Sequence, residues 1–192
     1  MKKKNELKVV LCTTPNDIQF DRSKGELPVS PKIAIVSLIK WMEKEGYKGD
    51  FFDVDMLLPS KRELYDYFMK NKPDVVGISS VVSTSYLQAK QMSRIIRKAC
   101  PDAMIIIGGN MAVSANILLR KTEIDFCVLG DGEMTLVNLL DYIRIHGRKK
   151  IDEKLKKIKG IAFINKDNEM EFTGYGEPIP DRENPYPDYS LL

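Results

Sequence analysis

Three short apolar segments run straight into turns built of small residues: Val75–Ile78 into Ser79-Ser80, Met104–Ile107 into Gly108-Gly109, and Phe126–Leu129 into Gly130-Asp131-Gly132. A helix-like stretch follows each turn. In an open parallel sheet, ligands bind in the crevice beyond the carboxyl ends of the strands, where small residues let them approach the backbone. Three such turns in one chain point to a large, phosphate-bearing ligand lying across a sheet edge.

The order of elements supports such a sheet. Leu7–Cys12 reads as a first buried strand. A helix over Pro31–Glu45 follows from Ile35, Leu38, Ile39 and Met42 at i, i+3, i+4, i+7 spacing, with Ser30 as N-cap, Pro31 as first residue and Gly46 as terminator. Phe51–Asp55 is the second predicted strand, and Leu64, Tyr67 and Phe68 mark a helix over Ser60–Asn71. After Val75–Ile78, the residues Leu87, Met92, Ile95, Ile96 and Ala99 outline a helix closed by Pro101. Met104–Ile107, a weaker helix over Ser114–Lys121, a strand at Asp125–Leu129 and a helix carrying Leu136, Leu139, Leu140 and Ile143 complete the alternation. Apolar strands separated by amphipathic helices imply a parallel sheet covered on both faces. The expected fold is α/β, a flavodoxin-like (Rossmann-like) five-stranded parallel sheet of order 2-1-3-4-5.

Beyond His146 the pattern changes. Ile158–Ile164 and Met170–Thr173 flank a polar turn and read as a β-hairpin, and Pro178 to Leu192, with four prolines, reads as an extended linker. The expected division is an α/β domain over 1–147, a hairpin extension over 148–177, and a linker over 178–192 leading to a further C-terminal domain.

Composition narrows the function classes. At 192 residues, 43% of them hydrophobic, the chain can bury one domain of roughly 150 residues plus an extension. The net charge of +3 comes mostly from Lys2-Lys3-Lys4 and the stretch Arg148 to Lys159. Such runs read as solvated segments, and neither nucleic acid nor membrane is an expected partner. Cys12, Cys100 and Cys127 lie far apart, and Cys12 and Cys127 sit in apolar strands as small hydrophobes, which suits a reduced, cytoplasmic setting.

The turns offer ligand contacts and internal roles side by side. The connection from Thr13 to Ser30 is long for such a unit and carries Asp17 and Asp21 but no histidine. Ser79, Ser80 and Thr84 can cap a helix or donate to a ring nitrogen or phosphate. Gly108-Gly109 removes both side chains where backbone would meet ligand, or makes a tight turn. Gly130-Asp131-Gly132-Glu133-Met134-Thr135 opens a helix, but Glu133 opposes a phosphate there and suits ribose-like hydroxyls or a helix cap instead. His146, the single histidine, reads as a solvated helix end. No Ser/His/Asp set, metal-ligand cluster or Walker loop is present, so the chain reads as a binder rather than a catalyst.

The ordered set Pro73-Asp74-Val75-Val76-Gly77-Ile78-Ser79-Ser80, Ile106-Ile107-Gly108-Gly109 and Val128-Leu129-Gly130-Asp131-Gly132-Glu133-Met134-Thr135 resembles the cobalamin-binding domain of cobalamin-dependent radical S-adenosylmethionine enzymes. Gly160-Ile161-Ala162-Phe163 and Pro185-Tyr186-Pro187-Asp188-Tyr189 are similar to the segment leading into the radical domain of that family. The wider cobalamin-binding fold carries a Ser-x-Leu-type element and then Gly-Gly; here Ser79-x-Val81 precedes Gly108-Gly109 by 26 residues. The resemblance implies that Ser79, Ser80, Val81, Val82 and Thr84 line a pocket for the dimethylbenzimidazole nucleotide tail. It implies further that Gly108, Gly109 and Asn110 pass along that tail, that Gly130, Asp131, Gly132, Glu133 and Thr135 border its ribose and phosphate, and that Thr13, Thr14 and Pro15 face the corrin.

Two departures refine the expectation. Many cobalamin proteins carry Asp-x-His-x-x-Gly after the first strand; Thr13–Ser30 has no histidine, which implies base-off cobalamin without a histidine ligand. The family's Cys-x-x-x-Cys-x-x-Cys is also absent, so an iron–sulfur cluster and S-adenosylmethionine are expected only on a C-terminal part of the full-length polypeptide. The expected function is a cobalamin-binding module for methyl transfer or radical rearrangement. A flavodoxin-like electron carrier and a cofactor-free interaction domain remain as alternatives. A phosphoacceptor receiver fits less well, because Ser79 and Gly130 occupy the places of its aspartate and lysine.

Overall fold

The computed structural model describes residues 2–15, 32–82, 85–147 and 151–180. Ser30, Pro31, Thr84, the loop from 16 to 31 and the tail from 181 to 192 lie outside the described residues. The strands are β1 (Lys8–Thr13), β2 (Lys48–Phe52), β3 (Val75–Ser79), β4 (Met104–Gly108), β5 (Phe126–Val128), β6 (Ile161–Ile164) and β7 (Met170–Phe172). The helices are α1 (Ile33–Lys44), α2 (Val54–Leu57), α3 (Lys61–Asn71), α4 (Tyr86–Ala99), α5 (Ala115–Lys121) and α6 (Gly132–His146). One sheet runs β2-β1-β3-β4-β5-β6-β7, and its first five strands are parallel in the expected order. The hairpin continues the sheet antiparallel to β5.

The continuous apolar strands have a direct cause. Alternate residues of each strand face opposite sides, and both sides are covered. Val10, Cys12, Val76, Ile78, Ile105 and Ile107 pack under α3, α4 and α5, with Phe68, Met92 and Leu118 among their partners. Val9, Leu11, Val75, Met104 and Ile106 pack under α1 and α6, against Ile35, Ile39, Leu139 and Leu140.

Several boundaries differ from expectation for local reasons. The second strand is Lys48–Phe52 rather than Phe51–Asp55, because β2 pairs on one side only and tolerates Lys48 and Asp50. Asp53 instead caps α2, its carboxylate accepting from the Met56 amide at 3.1 Å. Leu87 is 62% exposed; the buried stripe of α4 is Ala89, Met92, Ser93 and Ile96. Asp125 precedes β5, where its carboxylate accepts from Arg97 and from the Ile105 amide. Ser60, expected as the first residue of its helix, instead caps α3, and Glu63 closes the capping box.

The three cysteines are buried and free. Burial, with Asp53 nearby, pushes the Cys12 thiol up to about 12, and burial alone takes Cys127 to about 12. Maleimide should therefore leave the native protein unlabelled and add to all three thiols in guanidinium, as mass spectrometry would show; fast native labelling would contradict this packing.

Candidate functional site

At the carboxyl ends of the parallel strands, a groove of about 250 Å³ opens between the sheet and the first turns of α1 and α6. Its floor follows from strand register. Leu11, Gly77 and Ile106 stand side by side on the face covered by those helices, and the next row toward the edge is Thr13, Ser79 and Gly108. A Cβ on Gly77 would sit 2.6 Å from Leu11 Cδ2, so the Leu11 side chain occupies the space above it. Gly108 differs: a Cβ there would meet no atom within 4 Å, so this position faces open groove.

Ala34, Ile35 and Leu38 of α1 form one wall, and Val128 and Leu136 with the Gly130–Glu133 turn form the other. Val81, 58% exposed, stands at the rim. Few polar groups interrupt this apolar lining. Ser79 lines the groove, and its hydroxyl has no hydrogen-bond partner among the described residues. The carboxylates of Asp131 and Glu133 border the α6 end; neither caps the helix terminus. At the α1 end, Lys32 forms an ion pair with the nearly buried Asp55, which ties the start of that wall to α2.

Of the residues expected from sequence, Ser79, Val81, Gly108, Gly109, Gly130, Asp131, Gly132 and Glu133 come together here. Others serve the protein itself. Thr13 donates to Asp53 at 2.7 Å and accepts from the Asp55 amide. Thr14 is buried and donates to Ser80 Oγ at 3.0 Å. The Ser80 amide donates to the Gly108 carbonyl, and the Ser80 carbonyl accepts from Met111. The Thr13 hydroxyl thus ties the end of β1 to α2 and the Thr14 hydroxyl ties it to Ser80 beyond β3, while the Ser80 backbone joins the end of β4. Half-buried Pro15 lies outside the lining, and its carbonyl is 3.4 Å from the Ser85 hydroxyl. Val82 and Asn110 also lie outside the lining, and Thr84 outside the described residues. Thr135 is buried and donates to the Lys159 carbonyl at 3.1 Å, away from the groove.

The glycines divide in the same way. Gly109 has φ of +82°, and a Cβ there would lie 2.5 Å from the Ser80 carbonyl oxygen. Gly130, at φ +86°, would place a Cβ 2.8 Å from the Gly176 amide nitrogen. Both lack side chains because the chain itself passes close by; open ligand approach belongs to Gly108. In the sequence Leu11, Ile35, Leu38 and Leu136 carry only strand or helix patterning, and Ile106 and Val128 only lead into the glycine turns, yet all six line the groove. Their apolar spacing is the same whether the neighbouring space is filled by protein or left open.

His146 ends α6 at the opposite edge of the sheet, its ring 4.7 Å from that of Tyr142. Among the described residues, no group of three or more His, Cys, Asp or Glu could hold a metal, and no helix is long and apolar enough to cross a membrane.

Comparison with known proteins agrees with this geometry. The family model for the B12 binding domain matches residues 28–140, more than half of the chain. Cytidylyl-2-hydroxyethylphosphonate methyltransferase of Streptomyces wedmorensis is 30% identical over 100 residues, which make up 52% of this chain and 18% of that protein. The radical S-adenosylmethionine methyltransferase TsrM from Kitasatospora setae, solved with cobalamin and a 4Fe-4S cluster, aligns with 94% of this chain and 31% of its own, at a TM-score of 0.69 and 19% identity. The cobalamin-dependent S-adenosylmethionine radical enzyme OxsB, solved with aqua-cobalamin and S-adenosylmethionine, aligns with 96% of this chain and 24% of its own, at a TM-score of 0.71 and 17% identity. The chain thus spans about a fifth of the curated relative and about a quarter to a third of the two solved enzymes. Its parallel sheet, its groove at the carboxyl edge and the match across residues 28–140 together place the chain in the B12-binding domain family.

Proposed function

We propose that this chain is the cobalamin-holding module of a radical S-adenosylmethionine methyltransferase, whose remaining polypeptide supplies the iron–sulfur cluster and the S-adenosylmethionine site. The observation that carries the reading is the apolar groove ending at Ser79 and the open Gly108. Its volume is below the ~300–1,000 Å³ that encloses a drug-sized ligand. It therefore suits one arm of a larger molecule, the flat dimethylbenzimidazole and its ribose, with the corrin resting outside over the strand ends. Bound cobalamin would supply a cobalt centre able to carry a methyl group.

Within this reading each group has a task. Leu11, Ile35, Leu38 and Ile106 enclose the aromatic base, a burial worth roughly 25 cal/mol per Å² of apolar surface. The Ser79 hydroxyl donates to the unsubstituted ring nitrogen, and Glu133 accepts from ribose hydroxyls. With the base held in the groove and the single histidine at the far edge, cobalamin binds base-off with no histidine from this chain. Residues 178–192 then connect the module to the rest of a cytoplasmic enzyme.

Hydroxocobalamin and cobinamide, which lacks the nucleotide tail, separate this reading from a corrin-only site. Cobalamin should co-elute with the protein in gel filtration while cobinamide is lost. Ser79→Ala should weaken cobalamin retention about tenfold, the scale of one hydrogen bond in a dry site, and leave cobinamide unaffected. After reduction, the cobalt(II) resonance should show no axial-nitrogen splitting. Equal retention of both corrinoids, or nitrogen splitting, would overturn the assignment.

A further inference from the structure

The segment after β7 turns back over the carboxyl end of β5 and is pinned there by backbone bonds. The Gly176 amide donates to the Leu129 carbonyl at 2.9 Å, and Gly130 and Gly176 form a parallel bridge. The Leu129 amide donates to the Gly160 carbonyl at 2.8 Å, and the Gly160 amide donates to the Gly174 carbonyl at 3.0 Å. Three residues on, Ile179 packs against the core beneath α1 and α6. The strap from Gly174 to Ile179 thus lies against the turn that forms one wall of the groove.

Its closeness is set by one buried hydroxyl and two glycines outside the groove. Thr135 Oγ1 donates to the Lys159 carbonyl and lies 3.4 Å from the Asp131 carbonyl. A Cβ on Gly160 would lie 2.5 Å from Thr135 Oγ1 and 2.8 Å from Gly176 Cα. A Cβ on Gly176 would lie 2.6 Å from the same hydroxyl and 2.6 Å from the Asp131 carbonyl oxygen. No larger side chain fits at either glycine while the strap is seated. Seating in turn fills the space beside Gly130, the first residue of the turn that lines the groove.

From this geometry we infer that Thr135, Gly160 and Gly176 are positioning residues: by locking the Gly174–Ile179 strap onto the Gly130–Gly132 turn, they hold one groove wall ready for cobalamin, so the strap responds to groove occupancy. The inference rests on the proposed function of the groove. Linkage makes it testable without activity, because a strap that favours binding must itself be stabilised by binding, to the same extent.

The test is amide hydrogen exchange on the whole chain with and without hydroxocobalamin, alongside gel-filtration retention for wild type, Gly176→Ala, Thr135→Val and Thr135→Ser. Saturating cobalamin should slow exchange of the Gly160 and Gly176 amides about tenfold, although neither residue lines the groove. Gly176→Ala and Thr135→Val should each weaken retention about tenfold or more, while Thr135→Ser, which keeps the hydroxyl, should restore it. Cobalamin that binds wild type without slowing those two amides overturns the inference whatever the variants do. If wild type retains no cobalamin, the reading of the groove fails instead. The cofactor-free comparison then decides the lock: Thr135→Val that leaves the Leu129, Gly160 and Gly176 amides exchanging as in Thr135→Ser overturns it.

Discussion

Gly108→Val is expected to abolish cobalamin retention while leaving the fold intact. Gly108 ends β4 in extended backbone, where a β-branched residue is at home. Its Cβ position touches no heavy atom within 4 Å, so the free protein accommodates valine at a cost within about 0.5 kcal/mol. The added methyl groups would occupy the space that the proposed function gives to the nucleotide tail. Overfilling a close-packed contact costs about 1–3 kcal/mol, and the upper end of that range corresponds to roughly a hundredfold loss of affinity. Gel filtration with hydroxocobalamin and a thermal melt read the two effects separately. An unchanged melt with unchanged cofactor retention would show that the groove is not where the tail goes.

Gly109→Ala should do the opposite, damaging the fold first. Its φ of +82° and ψ of −175° fall in a region essentially reserved for glycine, worth about 1–3 kcal/mol of strain for any other residue. The new Cβ would also lie 2.5 Å from the Ser80 carbonyl oxygen, which is backbone and accepts from the Met111 amide. A loss of about 3 kcal/mol or more follows, and for a chain of this size the melting temperature should drop by about 10 °C. An alanine variant melting with wild type would refute the packing at the β4 turn. Adjacent glycines, alike in sequence, thus divide into one position open to a ligand and one required by the chain.

That division shows where sequence reading ended. The order β2-β1-β3-β4-β5, the turn positions and the helix faces, Leu87 of α4 excepted, were legible, because they rest on residue periodicity and local capping chemistry. The Ser79, Gly108 and Gly130–Glu133 turns were legible as one site, since a parallel sheet brings the carboxyl ends of its strands to one edge. Thr14, Ser80 and Thr135 were not separable from ligand contacts, because a hydroxyl near a strand end looks the same whether it faces a ligand or a neighbouring carbonyl. The strap was also beyond reach: Gly160 and Gly176 meet Thr135 through a closure spanning dozens of residues.

By itself, then, the sequence determined the layered α/β fold, the edge where its turns converge and a histidine-free first loop, all of which follow from local spacing and residue identity. Only the tertiary structure decided which small residues face empty space and which face other backbone, and that Leu11, Ile35 and Ile106 wall a groove. The physical reason is that a void is a property of what surrounds a residue, and those surroundings are assembled from strands and helices distant along the chain.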